Sequence, residues 1–306
     1  MRIALINSGL GLLAAAAELR RQAPGVELIL AMDPDGMPWG SRTPGDIAQR
    51  SLACASAAAA HDPDVLVFAC NTGSVYALDA LRSQFEPKIP VVGTVPAIKP
   101  AAAAGQPIAI WATAATTGSA YQRALITKFA AAVPVTEVPC PGLADAINAG
   151  DEEATAAAVA TAAARTCAQV KAVVLGCTEY ELAAPAIAAA LPGVSLYASA
   201  RAVAAQALRR APGSAPNTHQ PSNGEHKRGS DQGDPQPAGT ALRVLLSGRP
   251  GDLPPAALRY PEGRAICATG RGASSAQAPG SPVRSWPRPG QASSASVPPT
   301  AARPRP

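Results

Sequence analysis

The feature that most narrows the fold of this 306-residue chain is a repeated unit: a short apolar run, a turn, then an Ala/Leu-rich stretch of helical period. Two of the runs end in near-matching tripeptides. The run from Val65 to Ala69 leads into Cys70-Asn71-Thr72, and the run from Ala172 to Gly176 leads into Cys177-Thr178-Glu179. Apolar runs of about five residues without alternation read as strands buried on both faces of a parallel sheet. Candidate strands fall at 2–6, 27–31, 65–69, 90–93, 107–111, 134–138, 172–176 and 194–197. Candidate helices fall at 11–22, 44–60, 72–84, 97–104, 117–131, 141–148, 151–168, 181–190 and 199–210. This βα alternation predicts an α/β protein with mostly parallel sheets and helices on both faces. Eight strands exceed one small unit, and the two cysteine-tipped strands lie 107 positions apart (70 to 177). Two related lobes are therefore expected, over 1–95 and 96–198, with the last helix, 199–210, returning to the first.

Composition changes beyond 210. Residues 211–238 are rich in Pro, Gly, Ser, Asn, Asp and His and read as a disordered linker. Residues 239–266 recover some order, with a short strand at 242–246 and a helical turn near 254–259. The tail, 267–306, is Ala/Ser/Pro/Gly/Arg and reads as disordered. It holds five of the 26 basic residues and no acidic one, so the rest of the chain, with 21 basic against 21 acidic residues, is neutral by count. No basic stripe interleaves with aromatics, which argues against nucleic-acid binding. Asn7-Ser8-Gly9 interrupts the N-terminal apolar run, so a first strand, turn and helix explains it better than a secretion signal. No segment approaches the roughly 18 consecutive apolar residues of a membrane span. The six cysteines form no tight framework and read as reduced thiols in a cytoplasmic protein. No Cys-x-x-Cys occurs, and two of the three histidines, His219 and His226, lie in the linker, so no metal site is expected.

Thiols at strand carboxyl ends stand where open α/β sheets place their ligands. A cysteine just before a helix gains from the first-turn amides and the helix dipole, which favour its thiolate. Asn71 and Thr72 would offer donors to a substrate carboxylate, as helix starts do for anions, and Thr178 would do the same on the other side. A single cysteine in an apolar strand is more often a small core residue, but two in matching contexts favour chemistry. Two thiols facing one cleft from opposite sides suit removal of a proton from one face of a carbon and its return to the other. The chain has no Gly-x-Gly-x-x-Gly after a strand and no P-loop. Lys99, beside Pro100, has no context for a pyridoxal Schiff base, so no cofactor is expected.

Asn7-Ser8-Gly9-Leu10-Gly11, Pro38-Trp39-Gly40, Cys70-Asn71-Thr72, Val92-Gly93-Thr94-Val95-Pro96, Ala112-Thr113 with Thr116 and Tyr121, and Leu175-Gly176-Cys177-Thr178 together resemble the glutamate racemases of the aspartate/glutamate racemase superfamily. The resemblance covers about 1–210. It implies two Rossmann-like lobes around a cleft and cofactor-independent racemisation of an acidic amino acid, with Cys70 and Cys177 as the proton-transfer thiols. It further implies that Ser8, Pro38, Trp39, Gly40, Asn71, Thr72, Thr116 and Thr178 hold the substrate. A cytoplasmic role in supplying D-glutamate for peptidoglycan follows from the same resemblance. A homodimer is common in the family, although no sequence feature specifies one.

Two departures touch the chemistry. Glutamate racemases usually carry Asp where this chain has Asn7, and His where it has Glu179, so both positions join the catalytic candidates. Asn7 can hydrogen-bond but cannot take a proton. Glu179 can take one, but its charge would raise the pKa of a nearby Cys177. A Cys-Thr-Glu motif resembles that of aspartate racemases. Three outcomes stay open: a working racemase of glutamate or aspartate, a related isomerase or lyase, and a non-catalytic descendant that binds an acidic metabolite or a partner.

Overall fold

A computed structural model describes residues 1–212 and 241–268. The linker 211–238 and the tail 267–306 lie almost wholly outside the described residues. The first sheet has six strands: β1 (Arg2–Asn7), β2 (Glu27–Met32), β3 (Val65–Phe68), β4 (Val91–Gly93), β9 (Leu242–Leu246) and β10 (Arg249–Gly251). The second has four: β5 (Ile108–Ala112), β6 (Val135–Pro139), β7 (Ala172–Leu175) and β8 (Ser195–Tyr197). The spatial orders are β10-β9-β2-β1-β3-β4 and β6-β5-β7-β8, and every pairing is parallel except β9 with β10.

Helices α1 (Leu13–Gln22), α2 (Pro44–Ala59), α3 (Asn71–Phe85), α4 (Ile98–Ala102), α5 (Ala120–Phe129), α6 (Leu143–Ala149), α7 (Glu152–Arg165), α8 (Ala184–Ala190), α9 (Ala200–Arg210) and α10 (Pro261–Ala268) cover the sheets. Their starts follow local chemistry. Thr43 accepts from the Asp46 N–H at the head of α2, with Pro44 in the first turn. Ser119 and Asp151 cap α5 and α7 in the same way. Glycines in the left-handed region, Gly142 and Gly150, bound α6.

Alternate residues of each strand enter opposite cores. Ile3 and Leu5 face the side of α1 and α9, whereas Ala4 and Ile6 face the side of α2 and α3. In the second sheet Ala109 and Trp111 pack towards α6, α7 and α8, and Ile108 and Ile110 towards α4 and α5. Burial on both faces explains why the strands read as continuous apolar runs. One cluster, which includes Leu5, Leu12, Trp111, Leu175 and Tyr180, runs through both lobes.

The strand orders fix where a ligand can bind. The chain leaves β1 for β2 on one side, and β3 pairs on the other. It leaves β5 for β6 on one side, and β7 pairs on the other. Each sheet therefore has a topological switch point, between β1 and β3 and between β5 and β7, and the crevice beyond such a point is where open α/β sheets bind ligands. Cys70 follows β3, and Cys177 follows β7.

Residues 242–251 join the first sheet rather than standing apart. β9 extends it beyond β2, with Val244 and Leu245 buried in opposite cores. Among the described residues no helix is long and apolar enough to cross a membrane. Leu245 is 1% exposed. Leu245→Ala is therefore expected to cost about 2–5 kcal/mol, read from urea unfolding. A loss below about 0.5 kcal/mol, typical of a surface site, would mean that β9 is not docked as described.

Candidate functional site

The ends of β1, β3, β5, β6 and β7, with the loop after β2, converge on one cleft of about 390 Å³. Of the twelve sequence candidates, Ser8, Pro38, Trp39, Gly40, Cys70, Thr72, Cys177 and Glu179 line it. Asn7, Asn71, Thr116 and Thr178 do not: Asn7, Asn71 and Thr178 are buried, and Thr116 lines a small neighbouring pocket with Gly40 and Thr72. Asn7 is 0% exposed, and its Nδ2 donates to the Ala69 carbonyl at 2.6 Å and to Thr178 Oγ1 at 3.1 Å. Asn71 was expected to offer its side chain to substrate. Instead its Nδ2 donates to the Gly176 carbonyl at 2.9 Å. Thr178 Oγ1 donates to Glu179 Oε2 at 3.3 Å, and Thr116 Oγ1 accepts from Thr113 Oγ1 at 3.1 Å.

Close approach is built into the backbone here. A Cβ on Gly11 would overlap Thr178 Oγ1 and Asn7 Nδ2, and one on Gly73 would overlap the Phe68 ring. Only glycine lets these turns come so near. Gly73 N–H in turn donates to Cys70 Sγ at 3.3 Å, so the thiol itself caps α3.

The helix start does not win the electrostatic contest at Cys70. Burial first, then the Glu179 charge, push its thiol up to about 12, against the opposing Gly73 and Thr72 N–H groups. The helix dipole and first-turn amides that the sequence brings forward act in the opposite direction. Cys177 is also raised, by burial, by the Glu179 charge and by the hydrogen bond that its Sγ donates to Glu179 Oε2 at 2.9 Å. The two thiols differ in kind: Cys177 touches a carboxylate able to take its proton, whereas Cys70 has backbone donors.

Cys140, Asp145 and Asn148 also line the cleft, and the sequence reading did not single them out. The signal was present for Cys140, which follows the end of β6 as Cys70 follows β3. Asn148 Oδ1 accepts the Leu10 N–H at 2.7 Å. Burial raises Asp145, a second cleft carboxylate beside Glu179. Neither Lys nor Arg is among the lining residues, so an anionic ligand would be held by neutral N–H and O–H donors. Among the described residues no group of three or more His, Cys, Asp and Glu side chains could hold a metal ion.

Fold and cleft define a two-lobed α/β protein whose ligand crevice carries a thiol from each lobe. The chain belongs to the Asp/Glu/hydantoin racemase family, whose sequence model matches residues 5–207. It is 35% identical over 216 residues to a glutamate racemase of Pseudomonas putida (strain W619), a match covering 68% of this chain and 80% of that protein. It is 35% identical over 209 residues to a glutamate racemase of Roseiflexus sp. (strain RS-1), covering 67% and 76%. The crystal structure of Escherichia coli glutamate racemase with L-glutamate and the activator UDP-MurNAc-Ala matches with a TM-score of 0.68 at 27% identity, covering 88% of this chain and 95% of that one.

Two outcomes follow from the geometry. Glu179→Gln removes the charge that holds the Cys177 thiol protonated and replaces one carboxylate oxygen with an N–H donor, so the thiol's pKa falls. Iodoacetamide should then alkylate Cys177 faster at mildly alkaline pH, followed by mass spectrometry, with Cys54 unchanged. An unaltered Cys177 profile would break the assigned contact. Asn7→Asp sets a carboxylate against the Ala69 carbonyl, which raises its folded-state pKa above the unfolded value of about 3.9. Its neutral form is then favoured in the fold, so stability is kept at acid pH and lost as pH rises through the folded pKa. Chemical denaturation across pH checks that sign, and a variant that gains stability with pH relative to the parent contradicts it.

Proposed function

We propose that this protein interconverts L- and D-glutamate without a cofactor, using Cys70 and Cys177 as the two proton-transfer groups. The observation that carries this reading is the pair of thiols lining one cleft from the switch points of two sheets, in a chain 35% identical to glutamate racemases. One thiolate takes the α-proton from one face. The opposite thiol delivers its own proton to the other face, and the two groups exchange protonation states over the turnover. When Cys177 is the base, its proton passes to Glu179, 2.9 Å away. When Cys70 is the base, its thiolate is held by the Thr72 and Gly73 N–H groups.

Ser8, Thr72 and the α3 amides bind the substrate carboxylates, with Pro38, Trp39 and Gly40 as the wall. The substrate ammonium sits towards Asp145 and Glu179. Asn7, Asn71, Thr116 and Thr178 act behind that surface. The product serves peptidoglycan synthesis in the cytoplasm, and the protein works as a homodimer. The Cys-Thr-Glu motif supports aspartate as a second substrate to test.

Proton NMR with L-glutamate, and in parallel L-aspartate, in deuterated buffer without added cofactor is the direct test. Loss of the α-proton signal with growth of the D-enantiomer is expected, fastest for glutamate. Faster exchange of aspartate would reassign the substrate, and no exchange with either would end the racemase reading. Cys70→Ser and Cys177→Ser are each expected to cut turnover by at least about 10²-fold. Near-normal turnover in either would remove the two-base scheme.

A further inference from the structure

The C-terminal hairpin does more than extend the sheet. Its two-residue turn, Ser247-Gly248, has both φ angles positive, at 47° and 80°. That is the geometry that suits the twist of a tight hairpin. Serine there is unusual, because the left-handed region favours Gly, Asn and Asp. Three contacts hold it. Ser247 N–H donates to the Met32 carbonyl at 2.7 Å, its Oγ donates to Asp33 Oδ1 at 2.9 Å, and the same Oγ accepts the Asp35 N–H at 3.2 Å.

Asp33 is the hub of this arrangement. It is 3% exposed, and its other oxygen, Oδ2, accepts the Trp39 indole N–H at 2.9 Å and Arg50 Nη1 at 3.3 Å. Trp39 forms part of the cleft wall. Its ring packs 5.9 Å from that of Phe68, on which Gly73, the residue that donates to Cys70, rests. A chain of contacts therefore runs from the hairpin through Asp33 and Trp39 to the floor beneath the first thiol. We infer that Ser247 is a positioning residue for the cleft: its hydroxyl orients Asp33, and Asp33 orients Trp39 against the substrate. In this way a segment more than 200 residues away in sequence, docked on the edge of the first sheet, sets the substrate-facing wall.

The inference rests on the racemase reading for its kinetic test but not for its spectroscopic one. Two full-length variants separate positioning from plain stability. Ser247→Ala removes the hydroxyl and keeps a non-glycine residue at positive φ. Ser247→Gly removes the same hydroxyl and relaxes the backbone. Loss of the hydroxyl's bond to Asp33, the one that bears on Trp39, predicts a KM for glutamate raised about three- to tenfold in both variants, with kcat within about twofold. In a ¹H–¹⁵N correlation spectrum the Trp39 indole signal, assigned with Trp39→Phe, should move and exchange faster with solvent in both. A hydroxyl that served only the turn would leave KM and the indole signal of Ser247→Gly as in the parent, and either result overturns the inference. If the parent chain racemises nothing, the racemase reading fails and the indole signal alone decides this one.

Discussion

Beside the thiols the two lobes are joined by a pair of buried side-chain amides. Asn7, at the end of β1, reaches both the Ala69 carbonyl just before Cys70 and Thr178 just after Cys177. Asn71, just after Cys70, reaches the Gly176 carbonyl just before Cys177. The two crossings bracket the second thiol and start beside the first, so hydrogen bonds fix the seating of the lobes at the thiols, within the apolar cluster that runs through both. Each bond adds only about 1 kcal/mol net, but leaving its partners unpaired in a dry interior costs about 1–3 kcal/mol each. Alternative seatings of one lobe on the other are penalised accordingly. Gly11 belongs to the same device, because no side chain fits between Asn7 and Thr178.

That interior sets the electrostatics of the thiols. Burial raises Cys70, Cys140 and Cys177 alike, and it outweighs the N–H groups at the start of α3. A resting thiol in this cleft is therefore protonated, and ionisation has to be induced. At Cys177 the proton acceptor is two positions along the chain: Glu179 raises the thiol by charge and by accepting its hydrogen bond, and that geometry is also the one for transfer. Under the proposed reaction the same carboxylate holds the proton on sulfur at rest and receives it in turnover. Asn7, whose amide is committed to the lobe contact, offers no such service to Cys70.

Much of this was legible in the sequence. All eight strands of residues 1–210 lie within a residue or so of their expected places, because a strand buried on both faces leaves an uninterrupted apolar signature. The cysteines and most of the cleft wall were legible for a related reason: ligands gather at strand carboxyl ends, and the tripeptides mark those ends. Side-chain direction was not. Asn7 and Asn71 sit at strand ends like the cleft residues, yet turn into the lobe contact, and nothing local decides between the two. Thr178 behaves likewise, whereas Thr116 is taken up by Thr113 of its own loop. The docking of β9 beside β2 was also hidden, because a five-residue apolar run carries no record of its partner, and α10 was missed with it. Once docked, β9 and β10 cover an edge that β2 would otherwise leave open to other chains.

The asymmetry between the thiols has a thermodynamic limit under the proposed reaction. Two enantiomers have equal free energy in achiral water, so their equilibrium constant is one and kcat/KM must be the same in both directions. Glu179 cannot tilt the balance towards either product. Any advantage that it gives when Cys177 is the base must also act in reverse, when Cys177 returns the proton, since both directions cross one transition state. What the asymmetry can change is the resting distribution of bound states. The enantiomer that meets Cys177 as base and the one that meets Cys70 would differ in kcat and in KM by the same factor. The chain's exchange of a family histidine for Glu179 therefore bears on which enantiomer is held more tightly, while the shared barrier depends on how well the cleft, braced through Asp33 and Trp39, presents the α-carbon to both thiols.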